Sequence, residues 1–298
     1  MKRRLCDYIY PIGVLALGFL FGQQLGHFTG FEYRRPVKNY TIEDPQRYLF
    51  DEVKIFCWVA TTSRNHKTKA YAQMATWGRY CNGILFVSNA TDDRLPILLF
   101  NQTDNFHNLY LKTREAFLWI YKNIVHDYHW FLKADDDTYF HMPNLRHFLK
   151  SYSPNESLAF GHEYNIHKFR YHSGGAGYVL SHEAVLRLGA LGFNYHPVCD
   201  QTIPPEDLYL GQCLMALNAS IIDGSDENGG YRFMPIGIWD LIEHAVPEWL
   251  TNHSKTKLKK SFSCCSPHFI SMNYAKGDFQ YFMDYFLHTL KAYGIQHK

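Results

Sequence analysis

Three consecutive carboxylates, Asp135, Asp136 and Asp137, directly follow the apolar run 130–134. Adjacent carboxylates repel one another unless a cation compensates their charge. Hard divalent ions such as Mn²⁺ and Mg²⁺ prefer oxygen ligands of this kind, together with the oxygens of a bound phosphate. Because side chains alternate in an extended chain, Asp135 and Asp137 can face one ligand while Asp136 points away. The triplet therefore predicts a metal and diphosphate site, and an acidic turn is the alternative interpretation.

Two further segments carry residue types that a reaction could use. Glu206 and Asp207 follow two prolines and open a stretch of helical composition, where a carboxylate can serve as a helix cap or as a general base. The segment 173–177 contains Gly174, Gly175 and Gly177, and glycines allow either a tight turn or the close approach of a ligand. The residues alone do not decide between a helix cap and a general base for the carboxylates, or between a tight turn and the close approach of a ligand for the glycines.

Short apolar runs that alternate with helical segments must position these groups. The runs 53–60, 83–88 and 130–134 predict strands, and a further strand is predicted at 178–180. Helices are predicted at 67–80, 109–125, 182–191, 206–217 and 278–293. This order is typical of an α/β domain with a mostly parallel, twisted sheet, which binds ligands beyond the carboxyl ends of its strands. Thr61 then lies at the edge where a nucleotide can bind, whereas Lys112 is assigned to a solvated helix face.

The composition of the 298 residues excludes several classes of protein. A hydrophobic fraction of 46% rules out disorder for most of the chain. The net charge is only +2 and no long basic run stands out, so we expect no nucleic-acid partner. Aromatic residues make up 17% of the chain, which suits either a carbohydrate site or an aromatic core.

The amino terminus predicts a membrane anchor. A basic start is followed by an uncharged, mostly apolar run, and no clear cleavage site follows it. We predict a cytosolic tail at 1–7, a transmembrane signal anchor at 8–28, a stem at 29–51 and a lumenal domain at 52–298. A cleaved signal peptide and a buried soluble helix are the alternatives.

Glycosylation sequons and cysteines agree with a lumenal domain. Asn-x-Ser/Thr begins at six asparagines beyond the apolar run: Asn39, Asn89, Asn101, Asn155, Asn218 and Asn252. Six of the seven cysteines also lie beyond it, which favours disulfide pairing but allows fifteen connectivities. Zinc binding is not expected, because the Cys-x-x-Cys spacing is missing.

Five ordered blocks of sequence carry a resemblance to a known family. The segment 130–139, WFLKADDDTY, resembles the metal and donor motif of the core 1 β1,3-galactosyltransferases, which are membrane-anchored Golgi enzymes of the fringe-like, inverting β3-glycosyltransferase superfamily. The other four blocks are Cys57-Trp58-Val59 with the later segments 75–77 and 81–82, SGGAGYVL at 173–180, Glu206-Asp207-Leu208, and Cys264-Cys265-Ser266 with Ile270-Ser271. The similarity spans residues 53–294.

The resemblance implies a fold, a reaction and a set of site residues. It implies a GT-A-type nucleotide-sugar-binding domain that moves galactose from UDP-galactose to the 3-OH of O-linked GalNAc on Ser or Thr of glycoproteins. Asp207 would be the general base, Mn²⁺ or another divalent cation would be the cofactor, and its ligands would be Asp135, Asp137 and Asn273. The residues that contact the donor would be Thr61, Asp135, Asp136, Gly174 and Gly175.

The resemblance also implies disulfides and partners. The pairings are Cys57–Cys81, Cys199–Cys213 and Cys264–Cys265, although a bond between adjacent cysteines closes a tight ring and leaves unpaired thiols as the alternative. Glycoproteins that bear GalNAc would be the acceptors. A homodimer and a dedicated chaperone are further expected partners, and the location would be the membrane of the Golgi or early secretory pathway, single-pass, with the catalytic domain in the lumen.

Two departures from the family pattern keep other functions open. Asn273 stands where the family has a histidine that completes the metal site, and residues 239–260 do not clearly reproduce the family's acceptor-binding stretch. The alternatives are a fringe-like transferase with another donor or acceptor, and a catalytically silent relative that acts as a chaperone. The family's known chaperone has a disrupted acidic motif, so the intact triplet argues against the second alternative.

Overall fold

The computed structural model describes residues 45–103, 105–200, 205–243, 245–259, 261–291 and 293. The predicted tail at 1–7, the predicted anchor at 8–28 and most of the predicted stem lie outside these residues. No helix within the described ranges is both long enough and apolar enough to cross a bilayer.

Twelve strands form the sheets of the described part of the chain. In chain order they are β1 (Ile55–Ala60), β2 (Gly83–Ser88), β3 (Ile97–Leu99), β4 (Trp130–Asp135), β5 (Tyr139–Phe140), β6 (Leu158–Gly161), β7 (Glu163–Ile166), β8 (Phe169–His172), β9 (Tyr178–Ser181), β10 (Ser220–Asp223), β11 (Phe233–Met234) and β12 (Ser271–Met272).

The main sheet has seven strands in the order β10-β6-β9-β4-β1-β2-β3. All pairs are parallel except those that β9 makes with β4 and β6. The central strands β1 and β4 are buried on both faces, which is why β1 appears in the sequence as a continuous apolar run and the apolar run of β4 is interrupted only by Lys133. The prediction of an α/β domain with a mostly parallel sheet is confirmed.

Two small sheets complete the strand structure. The strands β11, β12 and β5 form one, and the β7–β8 hairpin forms the other. The β11–β12–β5 sheet brings the C-terminal segment that carries Asn273 beside the chain that leaves the acidic triplet.

Nine α-helices pack around the sheets in the described ranges. They are α1 (Pro45–Glu52), α2 (Tyr71–Ala75), α3 (Leu109–Asn123), α4 (Met142–Leu149), α5 (His182–Arg187), α6 (Glu206–Ala216), α7 (Ile238–Glu243), α8 (Glu248–His253) and α9 (Gly277–His288). Apolar residues are buried in two clusters, one containing Trp77 and Trp130 and the other containing Trp58 and Phe117.

The boundaries of several helices differ from the predictions. The predicted helix at 67–80 is broken into a π-helical turn at His66–Ala70, α2, and a 3₁₀ turn at Trp77–Tyr80. The C-terminal helix ends at His288, five residues before the predicted end. Helix α1 was not predicted and occupies the end of the segment assigned as the stem.

Three disulfide bonds confirm the pairing implied by the resemblance. Cys57 on β1 pairs with Cys81, Cys199 pairs with Cys213 on α6, and the adjacent residues Cys264 and Cys265 pair with each other. The Cys57–Cys81 bond ties the chain that follows a short helical turn to the main sheet. The Cys199–Cys213 bond ties α6 to the turn that precedes it. Cys199 and Cys213 are 14 residues apart, and Cys213 lies near the end of α6, so this bond anchors the C-terminal half of the helix whose first turn carries Asp207.

Candidate active site

The acidic triplet lies in a turn at the carboxyl end of β4. The strand ends at Asp135, and the Thr138 backbone N–H donates to the Asp135 carbonyl at 3.1 Å, which closes the turn. The buried amide of Gln73 donates to the carbonyls of Asp135 and Thr138 at 2.8 and 3.0 Å. The side chains therefore do not alternate beyond Asp135 as they would in an extended chain, because the backbone turns there.

Asp136 is held inside the protein by three donors. Its Oδ2 accepts hydrogen bonds from Thr61 Oγ1 at 2.9 Å and from Asn65 Nδ2 at 2.7 Å. Its Oδ1 accepts from Lys69 Nζ at 2.8 Å, and only 6% of the residue is exposed. The carboxylate that was expected to point away from Asp135 and Asp137 thus joins the turn to the segment that follows β1.

Lys69 supplies positive charge to two of the three carboxylates. Its ammonium also donates to Asp137 Oδ2 at 2.9 Å. Burial alone would lower the pKa of Lys69, but the hydrogen bonds to Asp136 and Asp137 outweigh burial and raise it. Lys69 therefore stays charged and reduces the repulsion within the triplet.

Lys133 supplies the second positive charge, from within β4 itself. Its Nζ donates to Asp135 Oδ1 at 2.7 Å and to the Gly174 carbonyl at 3.1 Å, and it lies 3.9 Å from Glu206 Oε2. Burial acts to lower the pKa of Lys133, but the charges of Asp135 and Glu206 outweigh it and raise the pKa. Burial raises the pKa of Asp135, although Lys133 opposes this effect.

Asp207 lies in the first turn of α6 and contacts the glycine segment directly. Its Oδ2 accepts a hydrogen bond from the Gly174 backbone N–H at 3.0 Å, and its Oδ1 accepts from the Leu208 N–H at 2.9 Å. Burial raises the pKa of Asp207, while the Gly174 N–H and the charge of Lys133 partly offset the rise. A carboxylate with a raised pKa is a stronger base than an exposed one.

The topology of β9 explains why these groups meet. Because β9 runs antiparallel to β4, the chain that leads into β9 lies at the carboxyl end of β4. That chain is the glycine segment, and a Cβ at Gly174 would lie 3.0 Å from Glu206 Oε2 and 3.4 Å from Lys133 Nζ. A side chain at position 174 would therefore crowd the point at which three elements meet.

Gly175 makes a second close approach, to Asn273. A Cβ at Gly175 would lie 2.2 Å from Asn273 Nδ2. Thr138 Oγ1 donates to the Gly175 carbonyl at 2.8 Å, and Ser271 Oγ donates to the Ala176 carbonyl at 2.6 Å. The glycine segment is thus fixed between the turn of the acidic triplet and the C-terminal block.

The residues predicted to hold a metal offer hard oxygen atoms. Within the described ranges, Asp135 Oδ2 and Asp137 Oδ1 accept no hydrogen bond. The other oxygen of each carboxylate accepts one from a lysine, Lys133 for Asp135 and Lys69 for Asp137. Asn273 Oδ1 accepts one hydrogen bond, from the Tyr274 N–H at 2.8 Å, and its Nδ2 donates to the Pro235 carbonyl at 3.1 Å. Carboxylate and amide oxygens of this kind fit Mn²⁺ or Mg²⁺ in chemical type.

The number of protein ligands is small. Among the residues that the structure describes, no group of three or more His, Cys, Asp and Glu side chains is arranged to hold a metal ion. A cation bound by Asp135, Asp137 and Asn273 would therefore depend on oxygen atoms of a substrate to fill its coordination shell.

An open cavity of about 680 Å³ lies beyond the carboxyl ends of β1, β2 and β3. It is lined by Thr62, Ser63, Arg64, Asn89, Leu99, Phe100, Asn101, Gln102 and Thr103. Thr61, the residue just before this lining, is buried, and its hydroxyl is used by Asp136. The cavity is at the edge of a mostly parallel sheet, which is where ligands bind in such folds.

The structure thus brings most of the predicted site residues to one edge of the main sheet. Contacts link the triplet to Thr61, to Gly174 and Gly175, and through them to Asp207 and Asn273. Lys69 and Lys133 were not predicted as site residues, because a lysine within a helical segment or a strand gives no sign of its distant partner. The assignment of Lys112 to a solvated face was wrong: Lys112 is 2% exposed and donates to the Thr61 carbonyl at 2.9 Å.

The fold and the site define a class of protein. A mixed α/β domain presents carboxylates, lysines and a glycine segment beside a cavity at the carboxyl edge of its sheet, as an enzyme that binds a nucleotide sugar would require. The Fringe-like family model matches residues 50–226, which is more than half of the chain. The chain therefore belongs to the Fringe-like family of glycosyltransferases.

A relative that covers most of the chain agrees with this assignment, and two further similarities are more limited. Glycoprotein-N-acetylgalactosamine 3-beta-galactosyltransferase 1 of Xenopus laevis is 34% identical over 255 residues, which cover 84% of this chain and 70% of the frog enzyme. Human N-acetyllactosaminide beta-1,3-N-acetylglucosaminyltransferase 4 is 29% identical over 157 residues, or 46% of this chain and 39% of the human protein. A crystal structure of a glycosyltransferase involved in the glycosylation of the major capsid of PBCV-1 covers 77% of this chain at 15% identity, with a TM-score of 0.40 and 98% of its own chain covered.

The contacts of Asp136 predict that it stabilises the fold. In Asp136→Asn the amide would place an N–H toward Lys69 and remove the charge that the ammonium faces. We expect the free energy of unfolding to fall by about 2 kcal/mol, the scale of a lost charged hydrogen bond. Asp137→Asn is the matched control, because Asp137 has one contact with Lys69 where Asp136 has three donors. Urea denaturation measures both, and an equal or larger loss in Asp137→Asn would contradict the assignment.

Proposed function

We propose that this protein transfers galactose from UDP-galactose to the 3-OH of O-linked GalNAc on Ser or Thr of glycoproteins, with inversion at the anomeric carbon, in a GT-A-type fold. The carboxylates of Asp135 and Asp207 are both linked to Gly174 from different elements. Asp207 accepts a hydrogen bond from the Gly174 N–H, and Asp135 is linked through Lys133, which donates to both Asp135 and the Gly174 carbonyl. This observation carries the proposal. The sequence similarity to the frog enzyme supports the choice of donor sugar and acceptor.

Asp207 would act as the general base. The acceptor 3-oxygen attacks the anomeric carbon of galactose, the bond between that carbon and the diphosphate oxygen breaks, and Asp207 accepts the proton of the acceptor hydroxyl. UDP leaves with the bonding electron pair. An attack from the face opposite the diphosphate yields the β-linked product, so base and diphosphate must lie on opposite sides of the sugar.

Asp135, Asp137 and Asn273 would hold the divalent cation. When bound, the cation neutralises negative charge that develops on the departing diphosphate. The ammonium of Lys69 already lies on the triplet, so the protein itself places positive charge at the same end of β4. The cavity beyond β1, β2 and β3 would take the uridine, because it adjoins the triplet through Thr61 and Asp136.

We also propose that the domain lies in the lumen of the Golgi or the early secretory pathway, anchored through residues 8–28. Three disulfides support an oxidising compartment. The sequon asparagines Asn155, Asn218 and Asn252 are exposed and therefore accessible to modification. GalNAc-bearing glycoproteins, a second copy of the chain and a dedicated chaperone remain its proposed partners.

The role of Asp207 predicts a loss of transfer without a loss of nucleotide binding. Asp207→Asn keeps an oxygen for the Gly174 N–H but removes the base, so transfer from UDP-galactose to a GalNAc-peptide should fall by about 10² or more. Asp240→Asn is the matched control, because Asp240 also lies in the first turn of a helix. Transfer rates and the affinity for UDP, measured by calorimetry, test the role of Asp207 as the base. UDP-N-acetylglucosamine is added as a competing donor. Full activity in folded Asp207→Asn would exclude the role.

The role of Asn273 predicts a change in metal affinity. A histidine at this position adds an imidazole ligand that Mn²⁺ binds better than a neutral amide. Asn273→His should therefore bind Mn²⁺ severalfold more tightly and be more active at limiting metal. Electron paramagnetic resonance of free Mn²⁺ measures the affinity directly, and exposed Asn123→His is the control. Equal affinities in Asn273→His and the wild type would mean that Asn273 is not a ligand.

The cavity makes a prediction about glycan occupancy. Asn89 and Asn101 both begin sequons and both line the cavity, so a glycan on either would fill the space assigned to uridine. We expect mass-spectrometric site mapping of the secreted-pathway protein to find glycan on Asn155 or Asn252 and none on Asn89 or Asn101. Full occupancy of Asn89 or Asn101 in active protein would place the nucleotide elsewhere.

A further inference from the structure

A buried ion pair lies between the two candidate catalytic carboxylates. Lys133 on β4 and Glu206 on α6 have 5 and 7% of their side chains exposed, and Lys133 Nζ lies 3.9 Å from Glu206 Oε2. Neither residue has a role in the reaction proposed above. Burying two charges is costly unless their geometry and further hydrogen bonds compensate, so the pair calls for an explanation.

Each member of the pair is fixed by other elements. Glu206 Oε1 accepts hydrogen bonds from Tyr178 OH at 2.7 Å and from Thr113 Oγ1 at 2.9 Å, which tie α6 to β9 and α3. Lys133 Nζ lies 5.7 Å from the centre of the Tyr178 ring, close enough for a cation–π contact. Four elements therefore converge on the pair.

The pair also sets the two carboxylates that the reaction uses. Lys133 binds Asp135 Oδ1 and the Gly174 carbonyl, and the N–H of the same Gly174 binds Asp207 Oδ2. Glu206 precedes Asp207 directly in α6. A shift of Lys133 or Glu206 must therefore change the separation between Asp135 and Asp207.

We propose that Lys133 and Glu206 are positioning residues that hold the base Asp207 and the metal-side carboxylate Asp135 on opposite sides of one donor sugar. The proposal rests on the function proposed above, but it does not depend on which sugar is transferred. Both side chains are buried and act through Gly174, Asp135 and Asp207. Misplacement of a base by about 1 Å is enough to cost about 10² in rate, so an effect on turnover is expected.

Glu206→Gln is the direct test. The amide oxygen can still accept from Tyr178 and Thr113, but the attraction to Lys133 is lost. We expect kcat for transfer to fall by about 10²-fold, with little change in the UDP affinity or the donor KM. Glu183→Gln, which removes a partly exposed carboxylate paired with Arg187, is the matched control and should leave kcat unchanged.

Two more variants separate positioning from folding. Thr113→Val preserves shape and charge and removes one hydrogen bond to Glu206, so kcat should fall less than in Glu206→Gln, again without a change in UDP affinity. The double variant Lys133→Met with Glu206→Gln should lose no more kcat than Lys133→Met alone, because residues that act through each other are not additive. These variants keep the test decisive if Glu206→Gln folds poorly.

The wild type in the same assays separates this inference from the proposed function. If the wild type transfers a sugar other than galactose, the proposed donor is wrong and the variants are compared with that sugar. Unchanged kcat in both Glu206→Gln and Thr113→Val would overturn the positioning role. A fall in kcat that merely follows the folded fraction, measured by thermal unfolding, would overturn it as well.

Discussion

The site depends on the attraction between the ammonium of Lys133 and the carboxylates that surround it. The ammonium lies among the carboxylates of Asp135, Glu206 and Asp207, whose charges would otherwise repel one another in a poorly solvated region. Because Lys133 points from the middle of the main sheet, its charge is fixed by the most buried part of the fold. Lys69 has the corresponding role for Asp136 and Asp137 from the other side of the turn. The chain can therefore concentrate carboxylates at one strand end without relying on solvent to separate them.

Strand direction converts this charge arrangement into a site. The parallel strands β1, β2 and β4 end at one edge and leave a cavity there, as mostly parallel sheets do. Only β9 runs the other way within the seven-stranded sheet, and this reversal places the glycine segment at the end of β4. The absence of a Cβ at Gly174 and Gly175 then lets α6 and the C-terminal block approach the acidic turn. The site is thus assembled from segments far apart in sequence.

Those parts of the fold that depend on local pattern were predictable from the sequence. Strands β1, β2 and β4 coincide with predicted runs of mostly apolar residues, and α6 begins at the predicted Glu206. The other eight strands and the helices α1, α4, α7 and α8 were not predicted, because short elements of this kind owe their stability to tertiary packing and not to a periodic pattern. Lys133 and Lys112 were missed for a similar reason: a lysine is normally solvated, and only long-range contacts show that these two are buried. The resemblance to a family supplied the disulfide pairing and the candidate base, which spacing alone left open.

The stereochemistry of the product tests the central claim most directly. If Asp207 and Asp135 lie on opposite sides of the donor sugar, the acceptor can attack only from the face opposite the departing diphosphate. Nuclear magnetic resonance of the disaccharide formed from UDP-galactose, an α-linked donor, and a GalNAc-peptide reports both the anomeric configuration and the linked carbon. The account predicts a β-linked galactose on the 3-position of GalNAc. An α-linked product would contradict the arrangement of base and leaving group on which the account is built.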